Sequence, residues 1–151
     1  MILANFKDFP RIGRILGVDW GQCRVGLAVS DETQEFFFIR PQIENRPWSR
    51  AAVASVAAVA EEENAAGIVI GLPLRFDGSE SPTTQAVRRF AKDLDSYIDL
   101  PIIFVDELLT SIEAEESLAG ASRAEMKKKL DSESAKIILD NALAMVKRCA
   151  Q

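Results

Sequence analysis

The 151-residue chain contains no histidine. That absence removes imidazole acid–base catalysis, His-based nucleophile triads and every His-ligated zinc site. Cysteine is scarce as well: Cys23 and Cys149 are far apart and form no Cys-x-x-Cys spacing. One such pair in a chain long enough to build a core points to reduced thiols and a cytoplasmic setting. Long apolar runs are also missing. The longest, 51–60, is alanine-rich, is interrupted by Ser55 and reaches about half a membrane span. The first ten residues carry Lys7 and Asp8 where a signal peptide would be apolar. No membrane association is expected, and any catalysis must come from carboxylates, Lys, Cys, Ser or Tyr.

What is present is an ordinary globular balance. Hydrophobic residues make up 48% and charged residues 27%, which excludes a disordered, collagenous or coiled-coil chain. The length suits one domain spanning 1–151, with 1–12 expected as a loose lead-in. Eighteen Lys and Arg against twenty-three Asp and Glu give a net charge of −5, which lowers the expectation of a phosphate-rich partner. The excess is uneven: 61–151 holds eleven cations against seventeen acids, while the first sixty residues are near balance. Locally basic stretches are therefore still available to a polyanion.

The patterning predicts the order βββ-α-β-α-β-α-α. Ile15 to Asp19, Arg24 to Asp31 and Glu35 to Ile43 read as three strands joined by short connections, an antiparallel meander. Pro47 to Glu63 reads as a helix with Val53, Val56 and Val59 on a small-residue face. Ile68-Val69-Ile70 and Ile102 to Val105 are short buried strands, separated by a helix from about Ser81 with Val87, Phe90, Ala91, Leu94 and Ile98 on one face. Thr110 and Glu113 have capping-box spacing before a short helix, and a last helix starts near Asp131 with Ile138 among its inward positions. Strands separated by helices are normally parallel. The expected fold class is α/β: a mixed five-stranded sheet, three antiparallel strands then two parallel, flanked by helices.

Carboxylates fall where such a sheet binds ligands. Asp19 ends the first strand, Asp106 and Glu107 end the last, and Asp131 opens the final helix. Ligands collect beyond the carboxyl ends of strands in open α/β sheets. Crowded carboxylates repel unless a divalent cation neutralises them, and oxygen donors suit Mg²⁺ or Mn²⁺. Such a cluster supports two-metal phosphodiester cleavage without histidine. Taken singly, Asp-x-Gly is ordinary hairpin chemistry, Asp106-Glu107 a solvated loop and Asp131 an N-cap; the argument lies in their coincidence.

The motifs carry more than spacing. Gly17-Val18-Asp19-Trp20-Gly21-Gln22-Cys23-Arg24-Val25-Gly26-Leu27-Ala28-Val29-Ser30-Asp31 resembles the opening of the YqgF family, also called RuvX. The runs Ile68 to Leu74, Asp77-Gly78-Ser79-Glu80, Phe104-Val105-Asp106-Glu107 and Asp131-Ser132 match that family in the same order. The resemblance covers about 15–146 and implies an RNase H-like fold. It also implies a nuclease maturing the 5′ end of pre-16S rRNA, or by older analogy resolving four-way DNA junctions. It implies Asp19, Asp131 and Glu107 (or Asp106) as the metal-binding acids. Two departures remove cations: Cys23 stands where the family usually has lysine, and Leu108 where arginine is common. Ser134 replaces a more usual small apolar residue.

For substrate binding the candidates are Arg24, close in sequence to Asp19, then Arg75 and Ser79, then the basic stretch Arg123, Lys127, Lys128 and Lys129, with Arg88-Arg89 in addition. The plain alternative for a lysine run is a solvated surface. The expected partners are structured RNA and a ribosome or pre-ribosomal particle, with a DNA junction as the alternative, acting as monomer or homodimer. A non-catalytic RNA-binding module is the competing class. An actin-like ATPase would need a second such domain around its nucleotide.

Overall fold

The computed structural model describes residues 1–46, 48–106 and 137–138. Strands β1 (Ile15–Trp20), β2 (Arg24–Ser30) and β3 (Phe37–Glu44) come first, then helix α1 (Ala51–Glu62), β4 (Gly67–Leu72), helix α2 (Pro82–Tyr97) and β5 (Ile102–Asp106). The strands form one five-stranded sheet in the order β3-β2-β1-β4-β5. The first three pair antiparallel, and β1, β4 and β5 pair parallel. The mixed sheet expected from the sequence is the sheet observed. The two C-terminal helices expected beyond β5 lie outside the described residues, apart from a helical Ile137-Ile138.

Central strands β1 and β4 are buried along their whole length. Both therefore read as continuous apolar runs, because both faces of the sheet are covered. Alternation sends Leu16, Val18, Trp20, Ile68, Ile70, Leu72 and Ile102 to one face, where they pack with Val53 and Val56 of α1 and Val87, Phe90 and Leu94 of α2. Helix α1 is nearly all alanine and valine, so its axis can come close to the sheet. It begins at Ala51 rather than at Pro47. Helix α2 starts where expected: Ser81 accepts from the Thr84 N–H at 3.2 Å, and the Thr84 hydroxyl accepts from the Ser81 N–H at 3.0 Å. At the other end of α1, Glu63 receives Arg14 at 2.7 Å and Arg40 at 2.8 Å, tying that end to the approaches of β1 and to β3.

Opposite positions form a second core: Ile15, Ala28, Val69, Ile103 and Val105 meet Phe6, Phe9 and Ile138. The lead-in expected to be loose is therefore part of the fold. Residue Ile2 bridges Ile102 in parallel, and the Leu3 N–H donates to the Ile102 carbonyl at 2.7 Å. Phe6 and Phe9 meet edge to face with centroids 5.7 Å apart. A β-carbon on Gly67 would stand 2.9 Å from the Phe9 ring, so that ring needs glycine beneath it. The sequence reading missed this because two phenylalanines within the first nine residues show no periodicity. Truncation Phe9→Ala is expected to cost about 3–5 kcal/mol in urea denaturation; a loose lead-in would show almost no change.

Candidate functional site at the carboxyl rim of the sheet

Three parallel strands, β1, β4 and β5, end on the same rim, and the register shows what each contributes there. Val18 pairs with Ile70, and Ile70 with Phe104. One step further toward the rim, Asp19 lies in the row of Gly71, which pairs with Val105. On its other side Asp19 pairs with Gly26 of β2. The row thus reads Gly26, Asp19, Gly71, Val105. Asp19 is 9% exposed, and the two residues that flank it in the row, Gly26 and Gly71, are glycines. Glycine in a strand interior marks a place where backbone or ligand comes close. The sequence reading singled out neither Gly26 nor Gly71; two strand glycines at matching depth were the available signal.

Alternation separates the acids at the end of β5. Asp106 pairs with Leu72, which packs under the helices with Trp20, so the strand assigns Asp106 to the helix-covered face. Val105 belongs to the other core, on the face of Asp19. Asp106 is exposed at the strand end. Asp19 and Asp106 thus share the rim but not the face. Glu107 and Asp131 lie outside the described residues, as do Arg123, Lys127, Lys128 and Lys129. Among the described residues, no three His, Cys, Asp or Glu side chains converge in a way that could hold a metal ion.

Of the expected cations, Arg24 opens β2 opposite Glu44 of β3. It alternates with Val25 and so takes the face of Asp19. Arg75 and Ser79 sit on the loop between β4 and α2. That loop is closed by the Arg75 N–H to the Ser79 carbonyl at 2.9 Å and the Gly78 N–H to the Arg75 carbonyl at 2.8 Å. Gly78 takes φ +84°, a left-handed conformation that favours glycine. Arg88 is committed elsewhere, paired with Glu80 at 2.7 Å and lying over the Phe104 ring at 5.4 Å. Cys23 is an exposed free thiol. No helix of the described residues is long and apolar enough to cross a membrane.

The Ser79 hydroxyl, and then its backbone N–H at 2.9 Å from Asp77, hold the Asp77 carboxyl below the ordinary aspartate range. A depressed carboxylate supports the loop above its unfolded pKa and loses that support as pH falls through the folded pKa. An NMR titration should therefore place the Asp77 midpoint below that of a free aspartate. Ser79→Ala should move it back up.

A family model described as "RuvX: Holliday junction resolvase" matches residues 13–145. A protein of Maridesulfovibrio salexigens named "Putative pre-16S rRNA nuclease" is 46% identical over 133 residues, covering 87% of this chain and 98% of its own. A protein of Nitrobacter hamburgensis with the same name is 38% identical over 144 residues, covering 94% of this chain and 88% of its own. Among solved structures, T. thermophilus RuvC in complex with a Holliday junction substrate superposes with a TM-score of 0.57 at 12% identity, covering 91% of this chain and 97% of the other. The yeast mitochondrial Holliday junction resolvase gives 0.51 at 14% identity, covering 97% and 88%. At those identities the structures share the fold, and the sequence matches share more. The chain belongs to the RuvX family.

Proposed function

We propose that this chain is a divalent-metal-dependent nuclease that trims the 5′ end of pre-16S rRNA. The observation that carries the reading is the row Gly26, Asp19, Gly71, Val105: a nearly buried carboxylate at a strand end, between two positions that lack side chains. Asp106 lies on the helix-covered face, opposite to Asp19. That favours Glu107 over Asp106 as the second acid. The third acid of this reading is Asp131, seven residues before Ile138 in the sequence.

The donors fit a hard cation. Asp19, Glu107 and Asp131 offer only carboxylate oxygens, which suit Mg²⁺ or Mn²⁺ and not zinc. When bound there, the metal supplies neutralisation of charge on the phosphodiester and a water made acidic enough to attack it. The protein's own part is positional. Asp19 is held by a rigid central strand, Arg24 sits on the same face, and Arg75 with Ser79 stands on the loop above. Arg123, Lys127, Lys128 and Lys129 add cations shortly before Asp131 in sequence. A ribosomal precursor particle as the bound form of the substrate suits an acidic chain, whose hold on naked RNA is weak and salt-sensitive. A four-way DNA junction is the second substrate reading, favoured by the description of the matching family model.

Cleavage of a precursor rRNA fragment, assayed beside a four-way junction with and without chelator, tests the reading. Asp19→Asn should abolish metal-dependent cleavage while leaving the urea midpoint near that of the parent; persistent cleavage sinks the assignment. Glu107→Gln should lose activity and Asp106→Asn should keep most of it. The reverse pattern would move the metal to the helix-covered face.

A further inference from the structure

Two aromatic side chains stand almost wholly in solvent at the rim that carries Asp19. Phe76 is 90% exposed and Trp48 is 86% exposed. Large rings left bare singly are common on surfaces. These two differ in how they are held and in what flanks them.

Phe76 is at the tip of the β4–α2 loop. Besides the two backbone bonds already described, an antiparallel bridge between Leu74 and Glu80 closes that loop. The Ser79 N–H bonded to Asp77 braces its tip, and the Thr84 hydroxyl donates to the Pro73 carbonyl at its base. Trp48 lies between β3 and α1, on a turn where the Ser49 N–H donates to the Arg46 carbonyl at 2.8 Å. The preceding Asn45 fastens that segment to the β1–β2 hairpin, through its amide to the Gly21 carbonyl at 2.6 Å and its N–H to the Cys23 carbonyl at 2.8 Å. Both rings are thus presented from hydrogen-bonded turns. Both stand next to arginine. Arg75 precedes Phe76, and among the described residues its guanidinium contacts the Ser79 hydroxyl and no carboxylate. Arg46 and Arg50 flank Trp48, with exposed pairs to Glu44 at 3.3 Å and Asp93 at 3.8 Å. Exposed pairs of that kind are weak and give way to a phosphate.

A ring in water beside a guanidinium suits one ligand chemistry: a nucleobase with a free face and its phosphate. In a duplex the bases are stacked on one another and their faces are occupied. We propose that Phe76 and Trp48 are stacking platforms for unpaired nucleotides, so that the chain grips its substrate where the strand is unstacked rather than along a paired helix. The proposal rests on the nucleic-acid reading above and names the part of the substrate that is held. The contrast within the molecule is Phe38, also exposed at 59%. It pairs with Val29 near the opposite end of β2 and β3 and serves as the control.

The test is fluorescence anisotropy with a short unstructured RNA and the same RNA annealed to its complement, in chelator so that no cleavage intervenes. Phe76→Ala and Trp48→Ala should each weaken single-strand binding about tenfold and leave duplex binding within about twofold. Phe76→Tyr should restore it, and Phe38→Ala should match the parent. In the parent, Trp48 emission should be quenched by the single strand and not by the duplex. Equal losses on both RNAs, or no loss on the single strand, overturn the proposal. A chain that binds the strand through these rings yet cleaves nothing overturns the nuclease reading and leaves the stacking sites standing.

Discussion

Parallel pairing of β1 with β4 sets the position of everything else on the rim. The pairs Leu16–Ile68 and Val18–Ile70 fix which residues of each strand lie side by side. Strand side chains alternate with period two, so a slip of one residue would exchange the two faces completely. In the observed register the large apolar side chains of β1 and β4 lie under α1 and α2. Asp19 is left on the opposite face, between Gly26 and Gly71. A slipped register would bury the carboxylate under the helices and expose Val18, so the cost of burying a charge and that of exposing a core side chain oppose the same error. The site inherits its rigidity from the best-buried hydrogen bonds of the sheet.

The two faces are covered differently, and that difference bears on the proposed chemistry. One face has two long helices. The other, among the described residues, has a short segment around Phe6 and Phe9 together with Ile138. Phe6 and Phe9 cover Ile15 and Gly67, at the end of the strands away from the rim. Val105, in the row of Asp19, belongs to that same core with Ile138, so the cover reaches the row of the acid. A carboxylate shielded from water interacts more strongly with a cation than one in bulk solvent.

Element order as far as β5, sheet class and the faces of α1 and α2 were legible in the sequence, because burial on both sides of β1 and β4 writes continuous apolar runs and α2 carries its apolar positions at helical spacing. Asp19 was legible as the acid that ends such a run. Three features were not. The packed lead-in depends on Phe9 meeting Gly67, a contact across almost sixty residues. The placing of Asp106 on the helix-covered face depends on the register of β5 against β4, which no local pattern contains. The glycine bracket around Asp19 depends on two pairings at once. Sequence shows which residues lie on one strand; only the pairing shows which strands share a row.

The same register explains how a chain with a net charge of −5 is reconciled with a nucleic-acid substrate. Affinity drawn from phosphate contacts scales with the number of cations engaged and falls steeply with salt. By the family resemblance Cys23 and Leu108 stand where two cations are usual, and Arg88 is held by Glu80. Arg88 is then not available to phosphate. Base stacking carries no such salt penalty, since it draws on apolar area and on the ring face. Placed on braced turns beside Arg75 and Arg46, the rings would replace part of the missing electrostatic grip with contacts that a paired helix cannot make. A substrate chosen in this way is selected by local unpairing rather than by charge density, and that selectivity is one an acidic surface is suited to, since it repels the long paired helices that a basic surface would bind without discrimination.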